Sequence, residues 1–119
     1  MASTFSDIMG LQANEHGPDA RVVTVVGEVD TLTAPELATF LTAQLVAAQV
    51  VVVDLDGVQF IGSAGLSVLV EANELAIRQD RALWLVCHSR VVNRAMEVAG
   101  LGQLFTFTDS VADAVKDLP

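Results

Sequence analysis

Few side chains in this sequence are able to do chemistry, and the most informative of them is Ser63. It stands in the run Asp54 to Leu66, DLDGVQFIGSAGL, flanked by Gly62 and Gly65. A valine run, Val50 to Val53, leads into this segment, and an apolar helix over roughly Ala64 to Gln79 leads out. A serine where a strand passes into a helix N-terminus is a place where a phosphate is tolerated, because free N–H groups and the positive dipole end are there. Taken locally, the same serine is a plain N-cap. The other candidates are weaker. Gly62-Ser63-Ala64-Gly65 lacks the G-x-S-x-G spacing of a nucleophile elbow. His16 and His88 belong to no metal-ligand pair, and no phosphate-cradling glycine loop occurs. Asp30, Asp54 and Asp56 follow strands, where aspartate readily bonds nearby backbone N–H groups. For Asp54 and Asp56 that turn-forming role is favoured over a general acid–base pair, for which no pocket is apparent.

The elements that must position Ser63 follow from hydrophobic period and from turn and cap residues. Leu11 to Glu15 reads as an edge strand, and His16 to Asp19 as a turn. Arg21 to Val26 is a β-branched strand ended by Gly27. Thr33-Ala34-Pro35-Glu36 has the T-x-x-E form of a capping box. The helix it opens presents Leu37, Phe40, Leu41, Leu45 and Ala48 on one face. Val50 to Val53 has no polar alternation, so it is expected to be covered on both faces. The next helix places Leu66, Leu69, Val70 and Ala76 inward. Ser67, Glu71, Glu74 and Arg78 point outward, with Glu74 and Arg78 spaced as an ion pair. Ala82 to Val86 is a buried strand. Ser89 caps a third helix through Val92, Ala95, Met96 and Ala99, stopped by Gly100. Leu104 to Thr108 is a short strand, and Asp109 or Ser110 caps a last helix through Val111, Ala114, Val115 and Leu118. Strands alternating with helices predict an α/β fold. Its centre is a mixed, mostly parallel sheet of four to five strands flanked by about four helices.

Composition bounds the function. At 119 residues the chain is expected to form a single domain over 1–119, with residues 1–10 a loosely ordered N-terminal segment. The net charge of −9, with only six Lys and Arg, argues against nucleic acid and anionic membranes as partners. No run reaches the ~18 apolar residues of a membrane span. The start, MASTFSDIMG, has no basic n-region, so the expected location is cytoplasmic. The single cysteine, Cys87, closes a strand and reads as a packed thiol, with a redox contact between chains as the alternative.

Two blocks carry a resemblance. Gly27-Glu28-Val29-Asp30 with Thr33-Ala34-Pro35-Glu36-Leu37 resembles the G-E-[LV]-D…T-A…L signature of STAS domains, more particularly of the bacterial anti-sigma factor antagonists. Val51 to Leu69 resembles that family's second block, V-x-D-[LF]-x-x-[VL]-x-F-[IM]-D-S-[ST]-G-L-G-V-L. The resemblance covers nearly the whole chain from about residue 5. It implies partner switching without catalysis and without a cofactor. The unphosphorylated antagonist binds an anti-sigma factor, a serine kinase of the GHKL ATPase type, and so frees a sigma factor. Phosphorylation ends the complex, and a PP2C-type phosphatase restores it. It implies Ser63 as phosphoacceptor, and Asp30, Gly62, Ser63, Ala64, Gly65 and Ser67 as the partner-binding region. The sequence departs from the family on both sides of that serine, with Gly62 for the usual Asp and Ala64 for the usual Ser or Thr. A STAS interaction module of a lipid-transport or stressosome-like complex, with no phosphorylation, is the competing reading. A weak homodimer stays open.

Overall fold

The computed structural model describes residues 2–5 and 8–118, residues 2–5 by their backbone alone. Its elements run β1 (Ala2–Phe5), β2 (Met9–Glu15), β3 (Ala20–Val29), α1 (Ala34–Ala47), β4 (Val50–Ile61), α2 (Ser63–Arg78), β5 (Ala82–Val86), α3 (Arg90–Val98), β6 (Thr106–Phe107) and α4 (Val111–Lys116). The strands form one six-stranded sheet in the order β1-β2-β3-β4-β5-β6. β1, β2 and β3 are antiparallel, and β3 to β6 are parallel. The mixed, mostly parallel sheet expected from the sequence is thus present, with one more strand.

The added strand is β1, which lies where a loosely ordered segment was expected; residues 1, 6 and 7 of that segment fall outside the described residues. β1 pairs Ala2 with Ala13 through Phe5 with Gly10, so β2 is an inner strand and not an edge. The fifth expected strand shrinks to β6, whose pairing is limited to Trp84–Thr106 and Leu85–Phe107.

Valines of β4 divide between the two sheet faces, as a strand with no polar alternation requires. Val51, Val53 and Leu55 join Val23, Val25, Val29, Leu83 and Leu85 in the larger core, under Leu37, Leu41, Leu45, Leu69 and Met96 of α1, α2 and α3. Val50 and Val52 join Ala20, Val22 and Val86 under Ala114 of α4 on the other face.

β3 and β4 are longer than their hydrophobic patterns suggest. The register slips between Thr24 and Val26, and again between Gly27 and Glu28, each time with an extra residue on β4. Such bulges break the period-two alternation while keeping the strand paired. β4 therefore continues beyond Val53 to Ile61, and Asp54 and Asp56 lie within it instead of after it. β3 likewise continues through Gly27, which has a φ of +90°. A Cβ at Gly27 would collide with the carbonyl oxygen of Ile8, the same oxygen that accepts the Glu28 N–H at 2.8 Å. Gly27 thus works within β3 as the residue without a side chain that admits the Ile8 carbonyl, not as a strand terminator.

Candidate functional site

The site lies at the C-terminal ends of β3 and β4. Val29 pairs with Ile61, and the Gly62 N–H donates to the Val29 carbonyl at 2.9 Å. The two strands therefore release their chains side by side, one toward Asp30 and the other toward Ser63.

On the β3 side, Asp30 builds the turn into α1. Its Oδ1 accepts the N–H of Leu32 at 2.9 Å, the N–H of Thr33 at 3.0 Å and the Thr33 hydroxyl at 3.1 Å. These donors, the Thr33 N–H foremost, hold the Asp30 carboxyl below its ordinary pKa. The expected capping box does not form. Thr33 occupies the N-cap position but adopts helical dihedrals, and its side chain makes no cap bond. The buried hydroxyl instead shares its one proton between Asp30 Oδ1 and the Glu28 carbonyl, each at 3.1 Å, and accepts the Asp30 N–H at 2.9 Å. Beside this turn Leu32 is 83% exposed.

On the β4 side, α2 begins at Ser63 itself, so the N-cap is Gly62 and not Ser63. Gly62 is extended, at φ −94° and ψ −178°, and no side chain caps the helix. The Ser63 side chain is exposed, and its hydroxyl engages none of the orphan N–H groups of the first turn. Gly65 is different. It is buried, and a Cβ there would lie 2.7 Å from Val29 Cγ1 and 2.8 Å from Ile61 Cγ1. Its lack of a side chain lets α2 settle onto the ends of β3 and β4, so Gly65 positions the helix from inside and offers a partner no surface. Gly62 and Ala64 are partly exposed, and Ser67 is exposed one turn beyond Ser63.

Ser63 and Ser67 also line a groove of about 470 Å³ with Leu66, Val70, Glu71, Glu74, Ala99 and Leu101. Two elements meet there. Gly100, at φ +73°, ends α3 and turns the chain so that Leu101 donates back to the Met96 carbonyl at 2.8 Å. The following segment reaches α2, where the buried Asn73 amide donates to the Leu104 carbonyl at 3.5 Å. The period of α2 sorts its residues into inner and outer faces, but their meeting with Ala99 and Leu101 has no signal in the sequence. The expected ion pair of Glu74 with Arg78 is not formed. Among the described residues Glu15 and Arg21 form an ion pair, and Asp56 contacts the His88 ring.

The remaining candidates have local tasks. Asp54 Oδ1 accepts the Asp56 N–H at 3.0 Å. Asp56 Oδ1 accepts the His88 N–H at 2.7 Å, and its carboxylate faces the His88 ring Nδ1 at 3.2 Å. This pair ties the end of β5 to β4. Ser89 caps α3 through the Val92 N–H and donates to the Val58 carbonyl, and Ser110, not Asp109, caps α4. His16 follows β2, at the sheet end opposite Ser63. Cys87 is half-buried, and that burial raises its thiol pKa. No three His, Cys, Asp or Glu among the described residues gather at one metal position, and no described helix is long and apolar enough to cross a membrane.

An exposed serine at the start of α2 thus stands beside an aspartate-built turn and lines a groove with apolar walls. Comparison with known proteins places this architecture. The STAS domain family matches residues 11–114, and the chain belongs to that family. It is 31% identical over 96 residues to the anti-sigma-F factor antagonist RsfB of Mycobacterium tuberculosis, a match covering 79% of this chain and 77% of RsfB. The crystal structure of an anti-sigma factor antagonist from Mycobacterium paratuberculosis superposes with a TM-score of 0.82 at 28% identity, over 96% of this chain and 99% of that one. SpoIIAA of Bacillus, in its phosphorylated form, shares the fold at a TM-score of 0.70 and 14% identity, over 89% and 96% of the two chains.

Proposed function

We propose that this chain is a bacterial anti-sigma factor antagonist. It binds an anti-sigma factor and so releases a sigma factor, and phosphate on Ser63 dissolves the complex. The observation that carries the reading is Ser63 itself, exposed at the first position of α2 with its hydroxyl uncommitted and lining the groove. The likeness to RsfB, an anti-sigma-F factor antagonist by name, supports the choice of partner. The anti-sigma factor is a GHKL-type serine kinase that transfers the ATP γ-phosphoryl group to Ser63 Oγ, and a PP2C-type phosphatase removes it. The chain works in the cytoplasm, by binding and not by turnover. Asp30, Gly62, Ala64 and Ser67 frame the contact around Ser63.

The physical basis of the switch is charge at an interface. A phosphoserine carries roughly −1.5 to −2 charges and three acceptor oxygens. On α2 it meets free N–H groups, so the domain tolerates it. A docked partner must desolvate it, and losing roughly 2–5 kcal/mol at a buried polar contact lowers affinity by tens to thousands of times.

Incubation with the cognate anti-sigma factor and ATP is expected to add one phosphate, absent in Ser63→Ala. Ser63→Glu is expected to weaken binding by at least about thirtyfold, the lower end of that range, with an unchanged melting temperature. Full binding by the phosphorylated or Ser63→Glu protein would rule out the switch. Absence of binding by the unmodified protein would favour the non-phosphorylated STAS module.

A further inference from the structure

The groove between α2 and the end of α3 has two chemically distinct ends. Leu66, Val70 and Leu101 give it an apolar lining; Leu66 is 9% exposed, and Val70 and Leu101 pack against the main core. Ser63 and Ser67 stand at one end, Glu71 and Glu74 at the other. Neither glutamate belongs to an ion pair among the described residues, although Arg78 is one turn from Glu74. An apolar-lined groove beside two carboxylates outside any ion pair matches an amphipathic segment of opposite charge.

We propose that this groove takes a basic amphipathic segment of the anti-sigma factor. An apolar anchor sits on Leu66, Val70 and Leu101, and a lysine or arginine one to two turns away faces Glu71 and Glu74. The inference rests on the function proposed above and adds the chemistry of the partner's surface. Glu71 lies eight residues beyond Ser63, about 12 Å along the helix axis at ~1.5 Å per residue. That exceeds the screening length of ~10 Å at 0.1 M salt. At that ionic strength and above the two ends act separately. The acidic end steers the encounter, and the serine end sets whether the docked complex lasts.

Binding kinetics of the full chain with its anti-sigma factor test this at low and high salt. Glu71→Gln/Glu74→Gln is expected to lower the association rate about tenfold at low salt and to flatten its salt dependence, with little change in dissociation. Asp113→Asn/Asp117→Asn, in α4 and at its C-cap, makes the same change of net charge on the other sheet face and is expected to leave both rates unchanged. Leu101→Ala is expected to speed dissociation severalfold, and Leu101→Met, which retains apolar volume, to restore most of the lifetime. Wild-type association and salt dependence in the double glutamine variant would overturn the proposal. So would equal effects from the α4 variant, or self-association of the chain that the glutamine pair disperses. If Ser63→Glu weakens binding while the glutamine pair does not, the groove assignment fails and the antagonist function stands. If the unmodified chain binds no anti-sigma factor, the function itself fails.

Discussion

Asp30 shows how one side chain can organise a functional loop. Its Oδ1 gathers three donors from Leu32 and Thr33, and the buried Thr33 hydroxyl relays the turn to Glu28. Because these bonds hold the folded carboxyl below its usual pKa, their contribution is complete above the unfolded value of about 3.9 and is lost as pH falls through the lower folded value. Asp30→Ala is expected to lower the melting temperature by a few degrees near neutral pH, and its deficit should shrink below about pH 4 as the wild-type carboxylate protonates. A deficit that stays constant across that range in thermal melts would mean that the carboxylate charge is not its source. Cys87 gives a second expectation at this scale. Burial raises its thiol pKa, so little thiolate exists at neutral pH. Its reaction with a disulfide reagent should be at least about tenfold slower in the folded than in the urea-unfolded chain. Equal rates would contradict a packed thiol. Both local readings were within reach of the sequence, since aspartate in turns and cysteine in strands have strong local habits. The T-x-x-E pattern misled because Thr33 is buried by the tertiary fold, where its hydroxyl satisfies the Glu28 carbonyl instead of a helix end.

The orientation of α2 depends on a contact with no side chain in it. Gly65 sits where a Cβ would press on both Val29 and Ile61, side chains packed in the main core. Gly65→Ala is expected to cost about 1–3 kcal/mol as an overpacked substitution, read by urea denaturation. Because it shifts the start of α2, it should also weaken partner binding. Gly62 is the contrasting case. A Cβ there would meet Phe60 ring carbons at an ordinary 3.5 Å and the Val29 carbonyl oxygen at 4.0 Å, and its dihedrals are open to any residue. Gly62→Asp, the residue usual in the family, should therefore fold with unchanged stability. A large destabilisation would show that glycine is required there by the backbone. Helix spans were legible because their apolar period is strong, and α2 differs from its expected range by one residue at each end. The ends of β3 and β4 were not, because two bulges break the alternation on which strand recognition rests.

At the scale of the molecule the sheet is covered unequally. Three helices cover one face, while on the other the six-residue α4 lies over Ala20, Val22, Val50, Val52 and Val86. Ala114 is fully buried at the centre of that contact. Ala114→Leu is expected to cost about 1–3 kcal/mol by overpacking and to raise amide exchange in β3, β4 and β5. Unchanged exchange would mean that α4 rides loosely over the sheet.

The sequence by itself determined the alternation of strands and helices, the two-sided burial of Val50 to Val53, and the place of Ser63 at the strand–helix junction. Each is written in residues close along the chain, through period, cap and turn chemistry. The tertiary structure decided the rest. It made Ser63 the first helical residue rather than the cap, turned Gly65 into a packing contact, extended β4 to Ile61, and closed a groove from α2 and the segment after α3. Those outcomes depend on which surfaces meet across the fold, and no local pattern encodes the distance between Val29 and Gly65 or between Leu101 and Ser63.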